Sequence, residues 1–269
     1  MSKDDVVRAL ADEMEVLRDR LRPPRDLDTA TPAVGWDVRD TISHLHYTDL
    51  EALRALVDPR GFVAEAPSKS GNPEFILGHL RSGRELGTEL MPRWDEGRDR
   101  LLEALRETPR GHRVPWFGPS MSSSSMATAR LMEYWAHGRD VADALGVPVE
   151  PTERLWHVAR LGFRTRGWSY SVRGRRVPER EVAVELSAPD GTKWVFGEPA
   201  AAEAVVSGPA EDFCLVVTQR RSYFDTTLVA DGALAREWMT LAQCYAGVAA
   251  QNRPPTSAAG LRRQGEARS

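Results

Sequence analysis

Cysteine is scarce in this chain. Two occur in 269 residues, Cys214 and Cys244, and neither belongs to a CxxC pair. That excludes a disulfide-stapled scaffold and a cysteine-rich zinc module, and both thiols read as small buried hydrophobes of a cytosolic chain, with a single disulfide or a nucleophile as the alternatives. Apolar runs long enough to span a bilayer are also missing. There is no surplus of positive charge: the formal net charge is −3, which gives no electrostatic footprint for nucleic acid or an anionic membrane. The first residues, MSKDDVVRALADEMEVL, carry acids where a secretory leader needs a basic start and an apolar core. The expectation is a cytoplasmic protein without nucleic-acid or membrane partners. Its 41% hydrophobic and 28% charged residues suit a globular chain, long enough for two cores.

What is present first is helical periodicity. Val6, Val7, Leu10, Met14, Leu17 and Leu21 mark an amphipathic helix over 3–21 that stops at Pro23-Pro24. Asp37, with Asp40 three residues on, caps a second helix running to about Val57. Residues 62–72 read as loop. A third helical region covers about 73–107, kinked or divided at Pro92. RGHRVPWFGPSMSSSS reads as loop, with a serine among 122–125 capping a fourth helix to about 145, before Gly146 and Pro148. Four helices with short connections predict a bundle over 1–150.

Beyond Pro151 the pattern changes. A helix over about 153–165 is followed by period-two alternation: Val182, Val184 and Leu186, a Pro189-Asp190-Gly191 turn, then Trp194 and Phe196, which is a hairpin signal. A strand at 204–206, a helix at 209–220, a strand near 226–229 and a helix at 232–247 complete an α+β domain over 151–250. The tail 251–269 has little apolar content and is expected to be disordered.

The chemistry is concentrated on two helices. Trp36, Asp40, His44 and Thr48 recur at steps of four, and Met126, Arg130, Glu133, His137 and Asp140 form a second stripe. Glu133 and His137 are one turn apart and can reach one ion, and His44 supplies a third ligand from the facing helix. Two imidazoles and a carboxylate leave coordination positions open, which marks a catalytic zinc site; the same donors serve Fe(II) and Ni(II). Glu-xxx-His on a helix is otherwise an ordinary solvated pair. Asp40 and Asp140 are candidates to orient the imidazoles, or simply helix charges. His46, about 200° round the helix from His44, is an interhelical or surface residue or an alternative ligand. His79, His112 and His157 are read as structural or exposed. Trp94, Trp135, Trp156 and Trp238 read as core.

At these residues the chain resembles a known family. Pro32-Ala33-Val34-Gly35-Trp36-Asp37-Val38-Arg39-Asp40 with Ile42-Ser43-His44-Leu45 resembles the first metal-binding helix of the DinB-like superfamily, and more narrowly its mycothiol-dependent maleylpyruvate isomerase branch. Glu133-Tyr134-Trp135-Ala136-His137-Gly138-Arg139-Asp140-Val141 resembles that branch's second ligand helix. Ser207 to Leu215 with Thr218-Gln219-Arg220-Arg221 is similar to its C-terminal domain, itself similar to sterol carrier proteins. The resemblance implies a DinB-like four-helix bundle followed by a sterol-carrier-like α+β domain. It implies His44, Glu133 and His137 as metal ligands, and Arg220 or Arg221 near an arginine that faces a substrate carboxylate. Trp116 and Phe117, in a loop the isomerases do not share, either wall a pocket or pack a seam between domains. The expected activity is a zinc-dependent isomerase or S-transferase using mycothiol on a small anionic metabolite. The alternatives are a thiol-independent Lewis-acid isomerase, cyclase or hydrolase, and a metal-braced binding protein. No residue is singled out as acid or base.

Overall fold

The computed structural model describes residues 3–21, 27–69, 72–109, 111–249 and 253–266. The chain divides into two compact units, 1–149 and 150–269. The first is helical and the second is α+β, as the periodicities require. Among the described residues, no helix is long and apolar enough to cross a membrane.

In the first unit, α1 (Lys3–Leu21), α2 (Val38–Val57), α5 (Leu90–Glu107) and α6 (Ser123–Leu145) form the bundle. Their apolar stripes meet in one core: Leu10, Met14 and Leu17 of α1, Ile42 and Leu45 of α2, Trp94 and Leu101 of α5, and Met126, Leu131 and Tyr134 of α6 are all essentially inaccessible. The expected stop of α1 at Pro23-Pro24 lies outside the described residues. Asp37 caps α2 through a reciprocal box: its Oδ1 accepts from the Asp40 amide at 2.8 Å, and Asp40 Oδ2 accepts from the Asp37 amide at 3.3 Å. Ser122 caps α6 by accepting from the Ser125 amide, and Gly146, with φ 63°, ends it.

Three readings are corrected within this unit. The stretch read as loop contains a helix, α3 (Pro59–Lys69). Asp58 Oδ1 accepts from the Gly61 amide, Pro59 occupies the first turn where no amide donor is needed, and Phe62 anchors the helix in the core. The third helical region divides at Gly87 rather than Pro92, giving α4 (Pro73–Leu86), a 3-10 turn at Gly87–Glu89 and then α5. Gly87 has φ 54°, and Pro92 falls in the first turn of α5, where the helix tolerates it. The segment before α6 is pinched by a two-residue antiparallel pair, β1 (Arg113–Val114) and β2 (Met121–Ser122), which presents residues 115–120 as a hairpin loop.

In the second unit, α7 (Leu155–Arg164) and α8 (Arg166–Ser171) precede a sheet of β3 (Val182–Ser187), β4 (Lys193–Phe196), β5 (Ala204–Pro209) and β6 (Val229–Asp231). The order is β4-β3-β5-β6, with β3 and β5 parallel and the other pairs antiparallel. Val182, Val184, Leu186 and Phe196 point to the face covered by α7 and α9 (Ala210–Val217); α10 (Ala233–Leu241) packs beside β5 and β6. Trp94, Trp135 and Trp238 are buried as expected, while Trp156 is half-buried against Phe196. Cys214 and Cys244 are buried thiols. The tail is the fourth correction: α11 (Ala258–Glu266) is formed, with residues 251, 252 and 267–269 outside the described set. Polar anchors replace the missing apolar ones. Asp225 accepts from the amides and hydroxyls of Thr256 and Ser257, and Arg263 donates to the carbonyls of Phe224, Thr226 and Leu228.

Two predictions follow from the α2 contacts. A Cβ on Gly83 of α4 would fall 1.7 Å from Ser43 Oγ and 2.4 Å from Ser43 Cβ. Gly83→Ala is expected to cost about 1–3 kcal/mol in urea unfolding through overpacking. Ser43→Gly should recover part of that loss, and a neutral Gly83→Ala would contradict the contact. His46 is buried against Gly97 of α5, and burial, helped by Arg93 and opposed by Glu96, lowers its pKa to about 4. The unfolded chain binds this proton below the ordinary value of 6.5 while the fold refuses it until about 4, so stability falls as pH drops through that window. In chelator-treated protein, His46→Phe should flatten the fall in unfolding free energy between pH 6.5 and 4; an unchanged slope would refute the assignment.

Candidate metal centre

Local sequence brings the three candidate ligand residues together. Steps of four place His44 on the side of α2 that meets α6, and Glu133 and His137 lie one turn apart on α6. One ligand atom from each of the three lies within 4.8 Å of the others. Glu133 Oε2 is 3.4 Å from His137 Nε2 and 4.0 Å from His44 Nε2, and the two imidazole centroids are 5.1 Å apart. His137 is buried, and His44 and Glu133 are partly so.

The electrostatics suit a cation. Burial raises the Glu133 pKa, but the His137 hydrogen bond and the charges of His137, His44 and Arg130 together bring it down to about 2. Burial holds His44 well below the ordinary histidine range; His137, Arg130 and His79 add to that effect, and Glu133 opposes it. An ionised carboxylate is thus held beside an imidazole kept neutral, which is the protonation state that metal ligation needs. His44 turns Nε2 to the cluster, and its Nδ1 is buried with no hydrogen-bond partner among the described residues. The donor set and its charge therefore fit a divalent ion.

The two carboxylates expected behind the imidazoles differ. Asp140 Oδ2 is 3.3 Å from His137 Nδ1, the geometry that fixes an imidazole's tautomer and direction. Asp40 does not reach His44. At the third position of α2 it is claimed by the capping box, and its Oδ2 accepts from Arg84 at 2.8 Å. Burial pushes its pKa up despite the Asp37 amide and Arg84.

Aromatic rings form the walls. Trp36 stacks on His137 at 5.8 Å and lies 5.2 Å from His44, held in place by hydrogen bonds to Ala33 and Thr31. His79 of α4, read from sequence as structural or exposed, is buried against Tyr47 at 5.3 Å and Phe75 at 4.3 Å, with its ring 6.2 Å from His44. Trp116 and Phe117 are carried by the β1–β2 loop onto Phe62 of α3, and Phe117 meets Phe75 at 5.4 Å. They line a shallow apolar groove with Val63, Ala66 and Pro67, and Phe117 reaches the wall of the metal centre through Phe75 and His79. His112 is exposed; His157 belongs to the second unit, packed edge-on against Trp156. Sequence spacing put Trp36 on the ligand stripe but gave it no role, and no spacing signal linked His79 to α2.

Arg220 and Arg221 lie in the second unit, just past α9, which ends at Val217 rather than 220. Gln219 takes the left-handed conformation at φ 61°, and the Arg220 amide donates to Leu215, closing the helix end. Both arginines are half-buried and donate to nearby carbonyls, Arg220 to Thr218 and Arg221 to Arg220.

Comparison with known proteins gives the family and agrees with the fold. Uncharacterised proteins from two strains of Mycobacterium tuberculosis are 43% identical over 245 residues, covering 90% of this chain and 94% of theirs. The crystal structure of the mycothiol-dependent maleylpyruvate isomerase superposes with a TM-score of 0.60 at 18% identity, over 86% of this chain and 93% of that one. A histidine-to-alanine mutant of the isomerase gives 0.59 over the same shares. Residues 7–142 match the family described as the mycothiol maleylpyruvate isomerase N-terminal domain, and the chain belongs to that family.

Proposed function

We propose that the protein is a metal-dependent enzyme, with zinc as the favoured ion, that isomerises a small anionic metabolite or transfers a thiol to it with mycothiol as cofactor. The observation that carries this reading is the convergence of His44, Glu133 and His137, within 4.8 Å, on two facing helices of the bundle. Three candidate ligands, with no fourth in the cluster among the described residues, leave room for a reactant, unlike the closed set of a structural zinc site. The isomerase that shares this fold is named as mycothiol-dependent, which supports the choice of thiol.

His44, Glu133 and His137 would hold the ion. Bound there, zinc supplies a Lewis acid that lowers the pKa of a thiol at its open position. The chain's own groups do the rest. Asp140 keeps the proton on His137 Nδ1 so that Nε2 faces the ligand cluster. Burial keeps His44 unprotonated. Trp36, Tyr47 and Phe75 limit water around the imidazoles and His79. Trp116 and Phe117 extend the apolar wall. Two buried cysteine thiols fit a reducing, cytoplasmic setting.

The test is metal analysis by mass spectrometry on protein purified without a chelating tag, for wild type, His44→Ala, His137→Ala and Asp140→Asn. Near-stoichiometric zinc in wild type should vanish in both alanine variants, and Asp140→Asn should lower zinc affinity roughly 10–100-fold. Calorimetric titration of the zinc protein with mycothiol should then show saturable binding that the alanine variants lack. A folded wild type that takes up no metal after reconstitution would overturn the reading. Zinc without thiol binding would overturn only the choice of cofactor.

A further inference from the structure

One turn along α6 from Glu133 lies a charged group that the three ligands do not account for. Arg130 is 2% exposed, deep in the interface of α2 with α6. Its Nε donates to Asp49 Oδ1 at 2.9 Å, and Asp49 Oδ2 also accepts from the Tyr134 hydroxyl, which in turn accepts from Trp94 Nε1 at 2.8 Å. Asp49 is fully buried, and burial pushes its pKa up against the pull of Arg130 and Tyr134. The pair is expensive to bury and calls for a complete set of hydrogen bonds.

That set is incomplete on the side of the cation. Arg130 Nη2 is buried and has no acceptor among the described residues. Arg98, the neighbouring buried arginine, differs: its Nη1 donates to the Met14 carbonyl at 2.9 Å, and its Nη2 meets Asp95 at 2.8 Å and Glu15 at 3.2 Å. Arg98 ties α5 to α1 with both terminal nitrogens engaged. Arg130 engages Asp49 through Nε and keeps a terminal donor unspent. Its charge acts on the centre itself, favouring ionised Glu133 and neutral His44. A guanidinium with a spare buried donor suits a planar oxyanion, because it presents parallel N–H groups that a carboxylate can accept.

The geometry points to Arg130 as the residue that selects a carboxylate-bearing ligand at the metal centre, its Nη2 donating to a carboxylate oxygen while Asp49 and Tyr134 fix the direction of the guanidinium. This rests on the metal reading above and adds a specificity determinant inside the helical unit, independent of Arg220 and Arg221. In this role Arg130 is a ligand-binding residue and not a ligand of the ion.

The test uses cobalt(II) as the probe metal, its visible spectrum as the readout, and acetate and imidazole as an anionic and a neutral ligand. The variant Asp49→Asn/Arg130→Gln removes both charges while keeping groups that can hydrogen-bond to each other; Arg130→Lys keeps the charge but loses the fork. Wild type should bind one cobalt per chain and show an acetate-dependent spectral shift. The double variant should keep its cobalt, its melting temperature to within a few degrees and its imidazole affinity to within threefold, while acetate affinity falls tenfold or more. Arg130→Lys should lie between the two. Equal acetate affinity in wild type and double variant would overturn the inference and leave the metal reading standing. An equal fall for acetate and imidazole, or loss of cobalt from the double variant, would assign Arg130 to building the site and overturn it as well. Failure of wild type to bind cobalt would overturn the metal reading, and this inference with it.

Discussion

Glu133 is a carboxylate in the interior of a helical bundle, kept ionised between two imidazoles, and much of the first unit is arranged around keeping it so. Burying a lone anion costs several kcal/mol, and a chain that does this must supply partners or bind a cation. Here α2 brings His44, α6 brings His137, and Arg130 adds a positive charge from one turn away. The packing of α2 against α6 and α4 therefore sets the electrostatics of the cluster. Gly83 lets α4 approach Ser43, next to His44, more closely than a side chain would allow. Trp36 enters just before the Asp37 cap and covers both imidazoles, so the same turn that starts α2 also closes one side of the centre.

The clustering of His44, Glu133 and His137 was legible because helical spacing is a strong constraint. Residues four apart must share a face, and a carboxylate and an imidazole on one turn can meet one ion wherever the helix packs. Bundle geometry suggested the pairing of the two helices, which spacing alone does not carry, and the family resemblance reinforced it. Asp140 was legible for the same reason, since it follows His137 by three. Asp40 obeys the same arithmetic and yet turns away, because a residue at the third position of a helix is also within reach of the cap, and the backbone amide of Asp37 took it. His79 was not legible at all. Its approach to His44 depends on how α4 crosses α2, which is a matter of long-range packing around Gly83 and Ser43.

The remaining differences have local causes. Asp58-Pro59 is a good helix start, and α3 follows from it once Phe62 finds the core; the polar sequence after it masked the signal. Pro92 was given a breaking role that belongs to Gly87, because a proline in the first turn of a helix removes no hydrogen bond. The tail has few apolar residues, and composition argues for disorder when burial is the only source of stability considered. Asp225 and Arg263 show the alternative, in which two charged side chains satisfy backbone groups of the partner segment and hold α11 on the 3-10 turn at Tyr223–Asp225. In the second unit the strand order follows from hairpin and crossover rules, whereas the left-handed Gln219 that ends α9 ahead of Arg220 carries no glycine to announce it.

The most direct test of the account is X-ray absorption at the zinc edge on zinc-loaded protein in the absence of any thiol. The account predicts a first shell of nitrogen and oxygen, with the outer-shell scattering of two imidazoles that falls to one in His44→Ala. A sulfur first shell, drawn from Cys214 or Cys244, or an imidazole signal unchanged by His44→Ala, would contradict it.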